Sequence, residues 1–223
     1  MPSKKVSKQQ PPPRLTRDVW LDAAFKAVVG GGFDAVRVLV LADTLGVTRG
    51  SFYWHFTDHA DLVQALLERW RTQEIERDLR MQAEISGDPQ VDLERLLEVA
   101  LAQTGGDLEN IRFELALRAL GQSDPAVASM LVEVDQVRMT LFEQKFLTLT
   151  ADPRTAHELA ALFYLAIVGS HQALSRPTSS PLAKAFFTNI IGHYLIQQQA
   201  PISGNPKSQA PKPPSPRHIG RPS

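Results

Sequence analysis

Residues 47–56 read Val-Thr-Arg-Gly-Ser-Phe-Tyr-Trp-His-Phe (VTRGSFYWHF), and the fold turns on how this stretch is read. Of the ten Phe, three Trp and three Tyr in the chain, Phe52, Tyr53, Trp54 and Phe56 fall within five positions, with His55 among them. A helix serving only a core spaces its apolar residues three and four apart. Phe52 and Phe56 keep that spacing and are expected to pack inward. Tyr53, Trp54 and His55 cannot share their face. The crowding alone is compatible with a base-stacking surface, a cofactor pocket, a DNA-reading helix or a small aromatic core.

The flanking residues narrow the choice. Val38, Leu41, Ala42 and Leu45 form the stripe of a short helix over about 37–45 that stops at Gly46. Thr48 is placed to cap a third helix, about 49–55. Upstream, Trp20, Ala23, Ala24, Ala27 and Val28 mark one face of a first helix. Thr16 is its expected N-cap, Asp18 lies in its first turn, and Gly30, Gly31 and Gly32 end it. Downstream, Thr57 or Asp58 can cap a fourth helix beginning near His59. Leu62, Val63, Leu66, Leu67 and Trp70 form its apolar face, and polar residues dominate beyond Trp70.

A short helix, a turn containing glycine and a second short helix make a helix-turn-helix. In that motif the second helix lies in the major groove, with its N-terminal residues against base edges. Arg49, Gly50, Ser51 and Trp54 then face the groove, while Tyr53 and His55 are placed to donate to phosphate oxygens. Gly50 lets the backbone approach DNA closely, a reason for a residue that otherwise costs a helix about 1 kcal/mol relative to alanine.

The rest of the chain is helical in pattern. Asp88-Pro89, Asp124-Pro125 and Asp152-Pro153 each precede an apolar periodicity, with Asp suited to the N-cap and Pro to the first helical position. Another helix is expected between about 107 and 120 and a last one over roughly 181–199. No strand alternation stands out. The expected fold class is all-α, with about nine helices: a three-helix N-terminal helix-turn-helix DNA-binding domain over 15–62 and a second helical domain over 63–200.

Composition excludes several chemistries. The chain has no cysteine, which removes disulfides, zinc fingers and thiol catalysis. No apolar run approaches the roughly 18 to 20 residues that cross a bilayer, so no membrane partner is expected and the expected location is cytoplasmic. The basic start, MPSKKVSKQQPPPR, has no apolar segment behind it and does not read as a secretory signal. His55 and His59 are four apart, yet no carboxylate at a helpful spacing completes a metal site. No Ser-His-Asp order, phosphate-binding glycine loop or HExxH occurs, so neither a cofactor nor an enzyme is expected.

Net charge is zero, with 24 basic and 24 acidic residues, but the distribution is uneven. Residues 1–14 carry Lys4, Lys5, Lys8 and Arg14, and residues 201–223 carry Lys207, Lys212, Arg217 and Arg221, with no acid in either tail. Setting those eight aside leaves 16 basic residues against 24 acidic, a body of charge −8. Both proline-rich tails are expected to be disordered. They read as solubilising termini, or, for the N-terminal one, as an arm that follows DNA phosphates or the minor groove.

The segment from Trp20 to Leu67 resembles the DNA-binding domain of the tetracycline-repressor (TetR) family of bacterial transcription regulators. The resemblance is carried by Leu21-Asp22-Ala23-Ala24, Gly32-Phe33, Leu41-Ala42, Leu45-Gly46-Val47-Thr48, Arg49-Gly50-Ser51-Phe52-Tyr53, His55-Phe56 and Asp61-Leu62. Leu115-Ala116-Leu117-Arg118 followed by Asp124-Pro125-Ala126-Val127 is similar to the family's variable C-terminal domain. The resemblance implies a homodimer on a palindromic double-stranded operator, acting as a repressor and released by a small-molecule effector. It implies DNA contacts from Thr48, Arg49, Ser51, Tyr53, Trp54 and His55, with Arg37 a further phosphate candidate. A ligand-insensitive regulator or activator of the same fold, acting through partner contacts, is the alternative.

Two features depart from the family pattern. His59 stands where a phosphate-binding lysine is usual, and a neutral histidine is the weaker partner. Leu39 and Val40 stand where polar residues are common and are expected to form an apolar patch or read a thymine methyl.

In the C-terminal half, Met130, Met139, Phe142, Phe146, Phe163, Tyr164, Ile167 and His171 supply residues suited to an effector pocket. Tyr164 and His171, seven apart, lie roughly on one face, and a buried Tyr or His needs a partner. His157, Ala161, Tyr164 and Val168 form a stripe that, with Phe187, Ile190, Ile191 and Tyr194, suits a four-helix dimer interface. The sequence does not separate pocket from interface.

Overall fold

The computed structural model describes residues 15–101, 106–172 and 189. Those residues form eight α-helices and no strand: α1 (Arg17–Gly31), α2 (Val38–Thr44), α3 (Arg49–Phe52), α4 (His59–Ala83), α5 (Pro89–Leu101), α6 (Gly106–Gly121), α7 (Pro125–Thr150) and α8 (Pro153–Gln172). A 3-10 turn, Phe33–Ala35, links α1 to α2. The expected last helix over 181–199 and both tails lie outside the described residues.

The capping chemistry read from the sequence holds at four of six helix starts. Asp58 accepts from Asp61 N at 2.9 Å, and Asp124 from Ala126 N and Val127 N at 2.9 and 3.2 Å. Asp88 accepts from Gln90 N and Asp152 from Thr155 N, at 2.8 and 2.9 Å. Each satisfies an amide that has no intrahelical acceptor. Thr16 and Thr48 occupy N-cap positions with extended backbone, but neither side chain caps. At α3 the hydrogen bond runs the other way, from Ser51 Oγ to Thr48 O at 2.7 Å. The third helix is also shorter than expected, ending at Phe52, with Tyr53 to His55 in a turn.

Two hydrophobic cores share the long helices α4 and α7. The first gathers Trp20, Ala24, Leu41, Phe52, Phe56, Leu62, Leu66 and Trp70 with Phe113 and Leu117 of α6 and Val127, Leu131 and Val134 of α7. The second gathers Leu93, Leu96 and Leu97 of α5, Leu141, Phe142 and Phe146 of α7, and Leu159, Phe163 and Ile167 of α8. In the N-terminal half, α1 therefore packs directly onto α6, and α4 onto α7. α4 runs unbroken through the 62/63 division expected from the sequence.

The buried positions of α4 are Leu62, Leu66, Trp70, Glu74 and Asp78. A four-residue step in a helix of 3.6 residues per turn advances the stripe by about 40° each time. The buried face thus winds around α4, apolar beside the first core and acidic between the two. On α7, Val134 belongs to the first core and Leu141 to the second, with buried Arg138 between them. A layer of charge separates the cores.

Candidate nucleic-acid interface and interhelical cavity

The turn of the helix-turn-helix is built on Gly46. Its φ of 67° lies in the left-handed region, where a Cβ would crowd the carbonyl. Gly46 N donates to Asp43 O at 3.0 Å and Val47 N to Ala42 O at 2.9 Å, so the chain reverses within one turn of α2. Phe52 then fixes α3. It is wholly buried, edge-on to Trp20 at 5.3 Å and stacked on Phe56 at 5.4 Å between ring centres. With Phe52 and Phe56 inward, their neighbours face out: Trp54 is 86% exposed and Tyr53 51%.

Arg49 and Tyr53, one helical turn apart, are joined by a hydrogen bond from Arg49 Nη2 to Tyr53 Oη at 2.8 Å. The phenol thereby holds the guanidinium while its own proton stays available to an outside acceptor. Thr48 and Gly50 are exposed and Ser51 is half-buried. A Cβ at Gly50 would meet only Thr48 Oγ1, at 3.7 Å, so no internal contact accounts for a glycine there. His55 is half-buried, and its carbonyl accepts from Arg17 Nη1 at 2.7 Å. Arg17 also lies over the Phe56 ring at 4.3 Å, tying α1 to the end of the aromatic run.

Two further expected DNA contacts are already engaged within the chain. Arg37 is the exposed N-cap of α2 and donates from Nε to Asp34 O at 3.2 Å. Its terminal nitrogens are left for an outside anion. His59 Nε2 lies 2.7 Å from Val36 O. A carbonyl can only accept, so Nε2 carries the proton and a neutral ring offers Nδ1 solely as an acceptor. The neutral ring is thus no donor to phosphate; it pins the start of α4 to the segment before α2. Leu39 and Val40 are exposed, 64% and 51%, forming an apolar patch on α2.

In the C-terminal half, Phe142, Ile167 and His171 line one cavity of about 110 Å3. The other residues of the expected pocket are elsewhere. Phe146 and Phe163 fill the second core, with ring centres 5.8 Å apart, and Met139 packs against that core. Met130 sits against the first core and lines a separate groove with His59, Val63, Leu67 and Arg71. Tyr164 is half-buried and engages Asp135, and burial with that bond pushes its hydroxyl up to about 12.

The remaining cavity wall is one that sequence reasoning missed. Glu74, Arg77, Asp78 and Met81 come from α4, Val99 from α5, Asn110, Ile111 and Glu114 from α6, and Arg138 and Leu141 from α7. Arg138 Nη2 donates to Glu74 Oε2 at 2.9 Å, and Nη1 to Glu114 Oε1 at 3.2 Å. Arg118 joins Glu114 to Asp135, at 2.6 and 2.8 Å. Arg77 Nη1 reaches Glu74 Oε1 at 3.0 Å.

Burial tends to raise Glu114, but Arg138 and Arg118 outweigh it and hold that carboxyl at about 2. For Glu74 and Asp78 burial prevails, and both are pushed above the ordinary carboxylate value. The signal that could have found this layer is the four-residue continuation of the Leu62, Leu66, Trp70 stripe into Glu74 and Asp78.

Of the expected interface residues, His157 is exposed and its Nδ1 lies 2.7 Å from Glu143 Oε1, while Ala161 and Val168 are half-buried. Leu162 and Leu165 on the same helix are 56% and 66% exposed. Phe187, Ile190, Ile191 and Tyr194 lie outside the described residues. Among the described residues, no helix is long and apolar enough to cross a membrane.

Residues 21–66 match the family described as bacterial regulatory proteins, tetR family. The chain is 35% identical over 89 residues to the HTH-type transcriptional regulator AcrR of Shigella flexneri, covering 40% of this chain and 41% of that one. It is 43% identical over 53 residues to the HTH-type transcriptional regulator TtgR of Pseudomonas putida, covering 24% and 25%. The chain therefore spans less than half the length of these relatives. A protein of Saccharomonospora viridis solved in complex with choline shares the fold across the chain, with a TM-score of 0.67 at 19% identity, covering 79% of this chain and 95% of that one.

Proposed function

We propose, from the premise that this chain is a transcriptional regulator of the TetR family with an N-terminal DNA-binding domain, that it represses transcription as a homodimer on a palindromic operator and is released by a small-molecule effector. The observation that carries the reading is the division of the aromatic run. Phe52 and Phe56 are buried, while Trp54, Tyr53 and its bonded partner Arg49 are presented to solvent at the second helix of the motif. A short helix that anchors by one face and offers an arginine, a phenol and an indole on the other suits groove and phosphate contact.

An effector is supported by the cavity among α4 to α8, whose walls belong in part to the helix that also carries the DNA-binding core. The fold accommodates a small organic molecule in the Saccharomonospora protein. A homodimer is supported by the exposed Leu162 and Leu165 on α8. The operator contacts assigned are Arg37, Thr48, Arg49, Gly50, Ser51, Tyr53, Trp54 and His55. His59 serves as a brace. No catalytic role is assigned.

The test is gel-shift titration against sites recovered by genomic footprinting. Arg49→Ala and Tyr53→Ala are each expected to abolish specific binding while helicity and oligomeric state stay unchanged. Survival of operator affinity in both would sink the recognition-helix assignment. An operator affinity that no small molecule lowers would favour the ligand-insensitive alternative.

A further inference from the structure

The charged layer between the two cores does not balance. Four carboxyls, from Glu74, Asp78, Glu114 and Asp135, face three guanidinium groups, from Arg77, Arg118 and Arg138. Glu74 is hydrogen-bonded by Arg77 and Arg138, Glu114 by Arg118 and Arg138, and Asp135 by Arg118. Asp78 is the acid left over. It is 3% exposed and lines the cavity, and among the described residues its Oδ2 has no hydrogen-bond partner. Arg138 Nε stands 3.4 Å from that oxygen, a charge contact without hydrogen-bond geometry, and Arg77 Nη2 stands 3.6 Å from Oδ1. A buried carboxylate oxygen without a donor is costly and rare.

The rest of the lining is largely apolar, with Met81, Val99, Leu141, Phe142 and Ile167 beside Asn110 and His171. Among the described residues no three His, Asp or Glu are arranged to hold a metal ion. The space, about 110 Å3, compares with the roughly 150 Å3 apolar cavity that admits benzene, so the ligand has only a few heavy atoms. We infer that this cavity binds a small organic cation, a primary or secondary ammonium with a short apolar body, whose N–H donates to Asp78 Oδ2. The inference rests on the effector reading above and gives it a ligand class. The ammonium supplies both the missing charge and the missing donor, and its carbon chain covers the apolar wall. Burial raises Asp78 above its ordinary value, and a cation beside it would bring it back down.

The test is calorimetry on the full chain at pH 8, where a simple alkylammonium is protonated. Three probes separate the contributions: butylammonium, its neutral counterpart 1-butanol, and tetramethylammonium, which has charge but no N–H. Butylammonium is expected to bind at least tenfold more tightly than either of the others. Asp78→Asn should bring butylammonium and 1-butanol within about twofold of each other. Val99→Trp, which fills the cavity from α5 and replaces no charged residue, should abolish binding even if the Asp78 variant does not fold.

Equal affinity for butylammonium and 1-butanol overturns the inference. So does selectivity that survives Asp78→Asn, or binding that survives Val99→Trp. A parallel gel shift keeps the two ideas apart. Cation binding that leaves operator affinity unchanged retains the site and overturns release by effector. Release by neutral molecules alone does the reverse.

Discussion

Arg138→Met is the perturbation that the charged layer makes most informative. Arg138 is 8% exposed and, among the described residues, is the one guanidinium hydrogen-bonded to both Glu74 of α4 and Glu114 of α6, with Asp78 at 3.4 Å. Methionine keeps the apolar stem and removes the charge, leaving Glu74 and Asp78 with Arg77 alone and Glu114 with Arg118 alone. Removing one partner of a buried pair costs about 3 to 5 kcal/mol, because the other charge stays buried. For a chain of this length that corresponds to a melting temperature lower by about 6 to 20 °C.

The pH dependence follows from the individual carboxyls. Glu114 is held at about 2 against an ordinary 4.5, so it stabilises the fold by about 3 kcal/mol above pH 4.5. That contribution is lost as pH falls towards 2. Glu74 and Asp78 lie above their ordinary values, so each subtracts from stability at neutral pH and relaxes on protonation. Without Arg138 all three rise, and protonation then relieves the excess negative charge. Thermal melts by circular dichroism should show the full deficit at pH 7 and a clearly smaller one at pH 4.5. A melting temperature within about 2 °C of the parent at pH 7, or a gap that does not narrow with acid, would refute the account of the layer.

Phe52→Ala is expected to cost about 3 to 5 kcal/mol in urea unfolding, since the ring is wholly buried against Trp20 and Phe56. Trp54→Ala, at an 86% exposed position, should change stability by less than about 0.5 kcal/mol yet weaken operator binding. Comparable stability losses in the two would show that the run is only a core. Gly46→Ala should cost about 1 to 2 kcal/mol from the positive φ at the turn, read as a lower urea midpoint. Deleting residues 1–14, which carry four cations and no acid, should lower operator affinity and flatten log K against log salt. An unchanged slope would leave that segment outside the complex.

The apolar spacing of the sequence identified the helices because these helices bury one face each, and burial is what periodicity records. The Asp-Pro pairs marked helix starts since an Asp side chain can replace the acceptor that the first amides lack. The end of α3 was less legible. Five aromatic or imidazole residues in a row have no helical period, so nothing in VTRGSFYWHF showed that the helix stops at Phe52. His59 was read as a weaker stand-in for a phosphate-binding lysine, and its carbonyl partner at Val36 is 23 residues away, beyond any local pattern. The charged layer was missed for a different reason, although the stripe of Leu62, Leu66 and Trp70 continues into Glu74 and Asp78. Glu74, Asp78, Glu114 and Arg138 read as solvated polar residues, because single-sequence patterning treats charge as exposure. Only tertiary packing shows that Arg138 is hydrogen-bonded to Glu74 and Glu114 and faces Asp78.

A layer of this kind is a poor way to gain stability. Well-packed apolar residues of similar volume often serve as well or better than buried ion pairs, since the desolvation of both partners offsets their attraction. Here the layer lies where α4 passes from the core of the DNA-binding half to the core that α5, α7 and α8 build. From His59 to Glu74 is fifteen residues, about 22 Å of helix. The first core holds α4 by a fit of shapes, through Leu62, Leu66 and Trp70. The layer holds it by a balance of charges, through Glu74 and Asp78, and leaves Asp78 short of a donor. A packed apolar contact responds weakly to a change of charge, whereas the ionic layer is sensitive to any cation, proton or ligand placed beside it. The acidic end of the winding stripe is therefore the part of α4 on which a small charged molecule has the most leverage, and it is continuous with the helix that ends against the recognition motif.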